Sequence, residues 1–410
     1  MLAGPPTSPG ARPAVGAKRG SSYHESMTPT SASAGSPTPS FEQGPIRPPS
    51  EAYSLLVRVI RNCTWNRCTF CRVYKGTKSS QRPLDDVLAD VDAMAAAAEV
   101  LRGRGLGAVH GGAVPPEAYQ VALFLQGGAR HVFLQDADPC AVKPDKLAAV
   151  IGRVRERFTA VDRVTTYGRA STLARRTPEQ LELLRDAGLT RVHLGLESGA
   201  DEVLMAIDKG CTSGDLVTAG ENVVRAGLEL CFYLMPGLGG RGAAAAHVAG
   251  SARVIRAVAA AAPAERPLVV RLRTAAVMPN TPLAQREAAG EFVLPDDVEV
   301  AQELRDLLGQ LGDARLELRS DHMLNLLQGL EGSLPDDRER LIAMLDEFLG
   351  LPRDEQARFA VGSRLGIYRA LGDRLDSSRR ALLEEQFAGY QAPTADELLR
   401  AATALRTRFL

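Results

Sequence analysis

The chain has 410 residues, 45% of them hydrophobic, with 49 basic and 49 acidic side chains and a formal net charge of zero. That length exceeds one average domain unless an α/β barrel takes more than half of it, and the neutral balance leaves no electrostatic footprint for nucleic acid or an anionic membrane. No apolar run approaches a membrane span, and six cysteines without a secretory signal pattern fit a reducing cytoplasm.

Residues 1–48 are rich in Pro, Gly, Ser, Thr and Ala and nearly devoid of large apolar side chains. Such a segment buries too little surface to offset its ordering entropy, so a disordered leader is expected there. From Leu55 to Ile60 an apolar run broken only by Arg58 reads as a buried parallel strand. It feeds directly into Arg61–Lys75, a stretch that holds Cys63, Cys68 and Cys71 within nine residues. Three thiolates this close, without a fourth Cys or His, suit an iron–sulfur cluster with one iron left for another ligand. A structural zinc site would want four protein ligands, and disulfides between near neighbours of one tight loop are strained.

After the loop, Leu84, Val87, Leu88, Val91 and Met94 recur at helical spacing, with Asp85 and Asp86 in the first turn where the helix dipole favours them. Residues 101–127 follow as a long glycine-rich connection, read as a lid or a surface insertion. Then a unit repeats, with junctions at 128–134, 187–194 and 226–232 where a helix stops at glycine and a strand begins. Gly188 and Gly227 stand where a left-handed residue ends a helix, and Thr177, Pro178 and Gln180 form a capping-box sequence. Helices alternating with strands at this period predict βαβ units and a parallel sheet. A doubly wound sheet gives the same pattern. Beyond Pro282 the chain reads as helical near 297–311, 336–349 and 379–406, with a short extra strand at 316–318.

The cysteine loop, including Phe70 just before the last Cys, resembles the cluster motif of radical S-adenosylmethionine (SAM) enzymes. The common family spacing is C-x3-C-x2-C, whereas this chain has C-x4-C-x2-C. The resemblance covers roughly residues 53–282 and is strengthened by later segments: His193–Gly199 with Lys209-Gly210, Met235–Gly240, and Met278–Pro282, where Asn280 replaces the glycine of a common Pro-Gly-Thr-Pro version. It tips the fold to a partial (β/α)6 TIM-type barrel, with a disordered leader at 1–48, the barrel at 49–282 and a helical C-terminal region at 283–410.

Several roles follow from the resemblance. Cys63, Cys68 and Cys71 would hold a 4Fe-4S cluster, and SAM would occupy the fourth iron. Glu197 and Ser198 would contact SAM, and the turn at Gly237 and Leu238 would meet its adenine; a structural salt bridge at Glu197 and a simple turn at Gly237 are the competing readings. Gln135, Asp136 and Asp138 occupy the position of the family's Gly-Gly-Glu segment, where a carboxylate would hold the SAM ammonium; a plain Asp-Pro turn is the competing reading. At the remaining strand ends position alone suggests that Tyr167 and Arg169 could face a substrate, that Arg271 or Arg273 could bind a substrate carboxylate, and that His322 could carry a proton, with a helix capped by Ser320 or Asp321 and a surface His322 as the favoured competing reading. Cys140 reads as a small buried residue. The expected activity is reductive cleavage of SAM to a 5′-deoxyadenosyl radical that acts on a small molecule or peptide, with flavodoxin or ferredoxin as electron donor. Aminocarboxypropyl transfer from SAM and a non-catalytic iron–sulfur sensor are the alternatives.

Overall fold

Alternation along seven short segments decides the architecture. β1 (Leu55–Arg58), β4 (His131–Gln135), β5 (Arg163–Gly168), β6 (Leu189–Glu197), β7 (Glu229–Leu234), β8 (Leu268–Leu272) and β9 (Leu316–Arg319) pair in that order, all parallel. β10 (Gly332–Leu334) adds antiparallel to β9. Neighbours in register point to the same side. One face therefore carries Leu55, Val57, Val132, Leu134, Val164, Val192, Leu194, Leu230, Phe232, Val270, Leu272 and Leu318, all buried in the main core. The other face carries Phe133, Tyr167, Arg191, His193, Cys231, Tyr233, Arg271 and Arg319. Each buried Leu, Val or Phe contributes about 1.5–3 kcal/mol over leaving it exposed. A one-residue slip would exchange that set for arginines, so register is strongly specified.

The structure is a computed structural model that describes residues 40–104, 118–387 and 393–409, which belong to one compact unit. Helices α1 (Leu84–Arg104), α2 (Tyr119–Gln126), α3 (Pro144–Arg157), α4 (Ala170–Leu173), α5 (Pro178–Ala187), α6 (Asp201–Ala206), α7 (Ser213–Arg225) and α8 (Gly240–Ala261) fill the crossovers from β1 to β8. With β1 and β10 as its two edges, the sheet is the open, partial barrel that the family resemblance, rather than the repeat alone, predicted. The expected punctuation is present: Thr177 Oγ1 accepts the Gln180 N–H at 3.4 Å, and Gly188 and Gly227 have φ of 117° and 78°.

Three expectations are corrected. The leader does not run to residue 48, because Gly44 N–H donates to Gln135 Oε1 at 2.8 Å and Glu42 pairs with Arg58, Arg61 and Arg82; residues 1–39 lie outside the described residues. The 101–127 connection is not irregular throughout, since α1 extends to Arg104 and α2 occupies Tyr119–Gln126, where Gln120, Val121, Ala122 and Phe124 are buried; the expected lid at 105–117 lies outside the described residues. Nor does the sheet end at residue 282, because 283–410 supplies β9, the short strand expected at 316–318, and β10.

The C-terminal helices are α9 (Pro282–Ala288), α10 (Asp297–Leu311), α11 (Arg338–Leu349), α12 (Arg353–Arg364), α13 (Ser377–Phe387) and α14 (Ala395–Leu405). They are fastened to one another by the fully buried Asp297 of α10, which pairs with both Arg364 at the end of α12 and Arg406 after α14. Arg406 also donates to the Ala275 and Pro295 carbonyls at 3.3 and 3.1 Å, so the chain's end is tied to the turn after β8.

Candidate active site

Strands β2 (Ile60–Arg61) and β3 (Ser80–Gln81) pair antiparallel and close the cysteine loop at its base. Inside it, Asn62 and Asn66 take left-handed φ of 66° and 52°, a conformation asparagine tolerates better than most residues. Asn66 then donates to the Tyr74 and Thr77 carbonyls at 2.5 and 3.0 Å, and its N–H points to Cys63 Sγ at 3.3 Å. The far side of the loop rests on residues 207–210. Thr69 N–H donates to Ile207 O at 2.9 Å, Arg67 pairs with Asp208 at 3.0 Å, and Trp65 Nε1 donates to Asp208 O at 2.6 Å. Gly210, with φ of 70°, lies so close that an added Cβ would stand 2.4 Å from the Trp65 ring. The Arg67 and Arg169 guanidiniums lie 4.8 and 5.2 Å from that ring, within cation–π range.

The loop is thus shaped by its own hydrogen bonds and holds three half-buried, unbridged thiols. Burial pushes Cys68 up to about 11, with Glu197, Cys71 and Cys63 adding to the rise against Lys209. Cys71 is raised by burial as well. Thiols so placed are poor nucleophiles on their own; bound iron would remove their protons and repay the cost. No three His, Cys, Asp or Glu side chains among the described residues converge on a single metal ion. A cluster asks for something different, one thiolate per iron, and three cysteines on one preformed loop suit that donor set.

Asp136 and Asp138, the expected SAM ammonium ligands, are committed elsewhere. Asp136 is fully buried with φ of 72° and accepts from Arg58 Nε at 2.6 Å, Tyr74 OH at 2.7 Å and Asn62 N–H at 3.2 Å. Asp138 accepts from Thr64 at 2.9 Å, Thr172 at 2.7 Å and Arg169 N–H at 3.1 Å, and burial outweighs these donors enough to raise its carboxyl. Both brace the cysteine loop. Gln135 holds the Gly44 and Ile46 carbonyls at 3.1 and 3.4 Å. Cys140 is buried, as expected.

At the end of β6, a register shift and a φ of 56° turn Glu197 toward Lys209, whose Nζ lies 2.8 Å from Oε1. Burial alone would lower the Lys209 ammonium, but Glu197 and the Cys68 and Cys211 thiols hold it above its ordinary value. Gly195 is required beside this pair, since a Cβ there would fall 2.2 Å from Glu197 Oε1. Ser198 points away, into the fold. Its Oγ lies 2.8 Å from His247 Nδ1, His247 Nε2 lies 3.2 Å from Glu303 Oε1, and that oxygen accepts Gly237 N–H at 2.8 Å. Leu238 is buried in a small cluster with Ile207, Met235, Ala275 and Leu283, against which Phe70 packs.

The inner face below is polar and aromatic. Tyr167 meets Phe133 edge-on at 5.1 Å and lies 5.9 and 6.4 Å from the His193 and Tyr233 rings. Burial raises the Tyr167 and Tyr233 hydroxyls and lowers His193 to about 4 despite Glu51 at 3.5 Å. Arg271 pairs with Asp321. His322, expected as a proton carrier, is lowered to about 4 by burial and by Arg273, and its Nδ1 accepts Leu324 N–H at 3.1 Å. A cleft of about 1030 Å³ between α8 and α10 opens at the opposite, N-terminal end of the strands, beside Ala262 and Arg315, where barrels keep stability rather than chemistry.

The structure thus gathers Cys63, Cys68, Cys71, Phe70, Glu197, Tyr167, Arg271 and His322 at one end of the sheet, and it buries Ser198, Asp136, Asp138 and Gln135 as scaffold. Trp65, Tyr233, His247 and Glu303 escaped the sequence reading. His247 carried one signal, a lone histidine in an alanine-rich helix.

Residues 57–245 match the Radical SAM superfamily. Among solved structures the chain is similar to Elp3 of Methanocaldococcus infernus (16% identity, 57% of this chain and 58% of that one, TM-score 0.38). It is also similar to the radical SAM methyltransferase TsrM of Kitasatospora setae (16%, 81% and 61%, 0.41) and to the hydrogenase maturase HydG of Carboxydothermus hydrogenoformans (15%, 86% and 81%, 0.37). The chain spans about three fifths of the length of the first of these. A search of curated proteins finds no match to its sequence. The superfamily uses a 4Fe-4S cluster and SAM, and no helix among the described residues is long and apolar enough to cross a membrane. The three-cysteine loop lies at the head of this matched span and at the C-terminal mouth of the parallel sheet, and residues 57–245 carry a radical SAM domain.

Proposed function

We propose that the protein cleaves SAM reductively and uses the resulting 5′-deoxyadenosyl radical on a substrate bound over the inner face of the sheet. The observation that carries this reading is the position of Cys63, Cys68 and Cys71 on a loop pinned to the 207–210 turn, so that Cys68 and the Glu197–Lys209 pair share one neighbourhood. When bound, the reduced cluster supplies the electron that splits the sulfonium bond of SAM.

The chain's own residues supply the rest. Arg58, Tyr74 and Asn62 on Asp136, with Thr64 on Asp138, keep the thiols at fixed spacing. Glu197 offers a carboxylate for ribose hydroxyls, and the Gly237-Leu238 turn with Phe70 offers a flat apolar wall for adenine. Tyr167, Tyr233 and neutral His193 below line the space with groups that neither ionise near neutrality nor readily leak protons. Flavodoxin or ferredoxin is the proposed electron donor, and the cytoplasm the proposed compartment.

The test is anaerobic reconstitution with iron, sulfide, dithionite and SAM, followed by mass spectrometry of nucleosides. Release of 5′-deoxyadenosine that disappears in Cys68→Ala is the expected result. Methylthioadenosine would instead show aminocarboxypropyl transfer, and neither product despite a formed cluster would leave a redox sensor.

A further inference from the structure

Nearly every arginine on the inner face of the sheet has its own carboxylate. Arg58 pairs with Asp136 at 2.6 Å, Arg163 with Glu51 at 2.9 Å, Arg191 with Glu229 at 2.7 Å, Arg319 with Glu317 at 2.9 Å, and Arg271 with Asp321. Arg273 is the exception among the described residues. It lies two residues beyond Arg271, and its backbone N–H is fixed by Leu234 O at 2.9 Å, so strand alternation turns it to the same face. Its side chain makes no ion pair, and its Nε is buried with no hydrogen-bond partner. That face is the lumen, where Tyr167 on β5 and His322 after β9 both sense its charge. Arg273 is half-buried, and a buried Nε–H with no partner is costly unless an acceptor completes it. Its planar fork matches a carboxylate or phosphate bidentately.

We propose that Arg273 is the anchor for an anionic group, a carboxylate or phosphate, of the substrate, with Tyr167 and His322 at its flanks. This rests on the radical SAM reading of the site. The methionine carboxylate of SAM is another source of the same chemistry, and the SAM-affinity measurement below separates the two. Neutral His322, whose Nδ1 is already used as an acceptor, keeps Nε2–H as a second donor for the anion.

Two measurements test this on the full chain. In the first, the purified protein is titrated calorimetrically with succinate and with inorganic phosphate. Saturable binding to at least one is expected, weakened about 10- to 100-fold in Arg273→Gln and partly restored in Arg273→Lys. Arg253→Gln, on α8 outside the barrel, should bind as the parent does. In the second, the reconstituted enzyme with dithionite and SAM receives a deuterated small-molecule extract split by anion exchange. One deuterium should move from a substrate carbon to the 5′-carbon of deoxyadenosine only with the anionic fraction, and Arg273→Gln should lose that transfer while still cleaving SAM. Deuterium from the neutral or cationic fraction alone, or undiminished transfer in Arg273→Gln, overturns the proposal. A tenfold loss of SAM affinity by equilibrium dialysis reassigns Arg273 to the cofactor and overturns it too. If no deoxyadenosine forms in the parent, the functional reading fails, and the titration alone decides: Arg273-dependent binding upholds the anion site, and no binding sinks it.

Discussion

His247 joins the ends of two strands: its Nδ1 lies 2.8 Å from Ser198 Oγ after β6, and its Nε2 lies 3.2 Å from the Glu303 oxygen that accepts Gly237 N–H after β7. All three side chains are buried. Replacing His247 by alanine removes the Ser198 hydroxyl's contact with the ring and opens a cavity beside Glu303, while Ser198 keeps the Ala200 N–H and Glu303 the Gly237 N–H, a loss of about 2–4 kcal/mol in urea unfolding. His247→Gln should recover part of it. A change below about 0.5 kcal/mol would show that the two turns hold their places without this link.

Asp136 is the hub for Arg58, Tyr74 and Asn62. Asp136→Ala leaves the mostly buried Arg58 without a counter-charge at that end, and about 3–5 kcal/mol of stability should go with it. Iron content after anaerobic reconstitution should fall with it because the loop loses its brace. Full iron loading in the variant would refute the bracing role.

Trp65 is the chain's single tryptophan, so its fluorescence reports the cysteine loop alone. Gly210→Ala places a methyl 2.4 Å from the ring at a φ of 70°. The emission should shift to the red as Trp65 leaves the 207–210 turn, while far-ultraviolet circular dichroism keeps the parent's shape. An unshifted spectrum would mean that the turn does not seat the ring.

Acid should weaken the fold in two steps. The His193 pKa is lowered to about 4, first by burial. The unfolded chain therefore binds more protons between about 6.5 and 4, and stability rises with pH across that window and is lost as pH falls through it. The drop attributable to His193 is at most about 3 kcal/mol. Glu51, whose carboxyl is lowered because His193 and Arg163 outweigh its burial, contributes stability present above about 4.5 and lost below it. His193→Gln should flatten the decline between pH 6.5 and 4 in urea titrations; an unchanged slope would place the acid sensitivity elsewhere.

At the other end of the chain, Asp297 neutralises two buried arginines. Asp297→Asn should lower stability by about 3–5 kcal/mol, more than any exposed ion pair here, because two guanidiniums are left uncompensated out of water. A melting temperature within about 2 °C of the parent would show that water reaches them.

Much of this was legible in the residues. Glycine stops, capping boxes and the βα period placed the helices and strands, because backbone conformation at Gly188 or Thr177 depends on the local sequence alone. The helix at 297–311 begins and ends where its amphipathic pattern does. Spacing also isolated the cysteine loop, since three thiols in nine residues are near neighbours in any fold. Which polar strand ends face the lumen was not legible. Asp136, Asp138 and Ser198 look as available in the sequence as Glu197 does, and only packing shows that Arg58, Thr172 and His247 have claimed them. Their partners lie 34–78 positions away along the chain. Arg271 and Arg273 are two residues apart and chemically identical; the fold supplied Asp321 to one and left the other alone. Local propensity and spacing were therefore determined by the sequence itself, whereas the fate of each buried charge was decided by tertiary structure, because a carboxylate or guanidinium removed from water takes whichever partner the distant chain brings within reach.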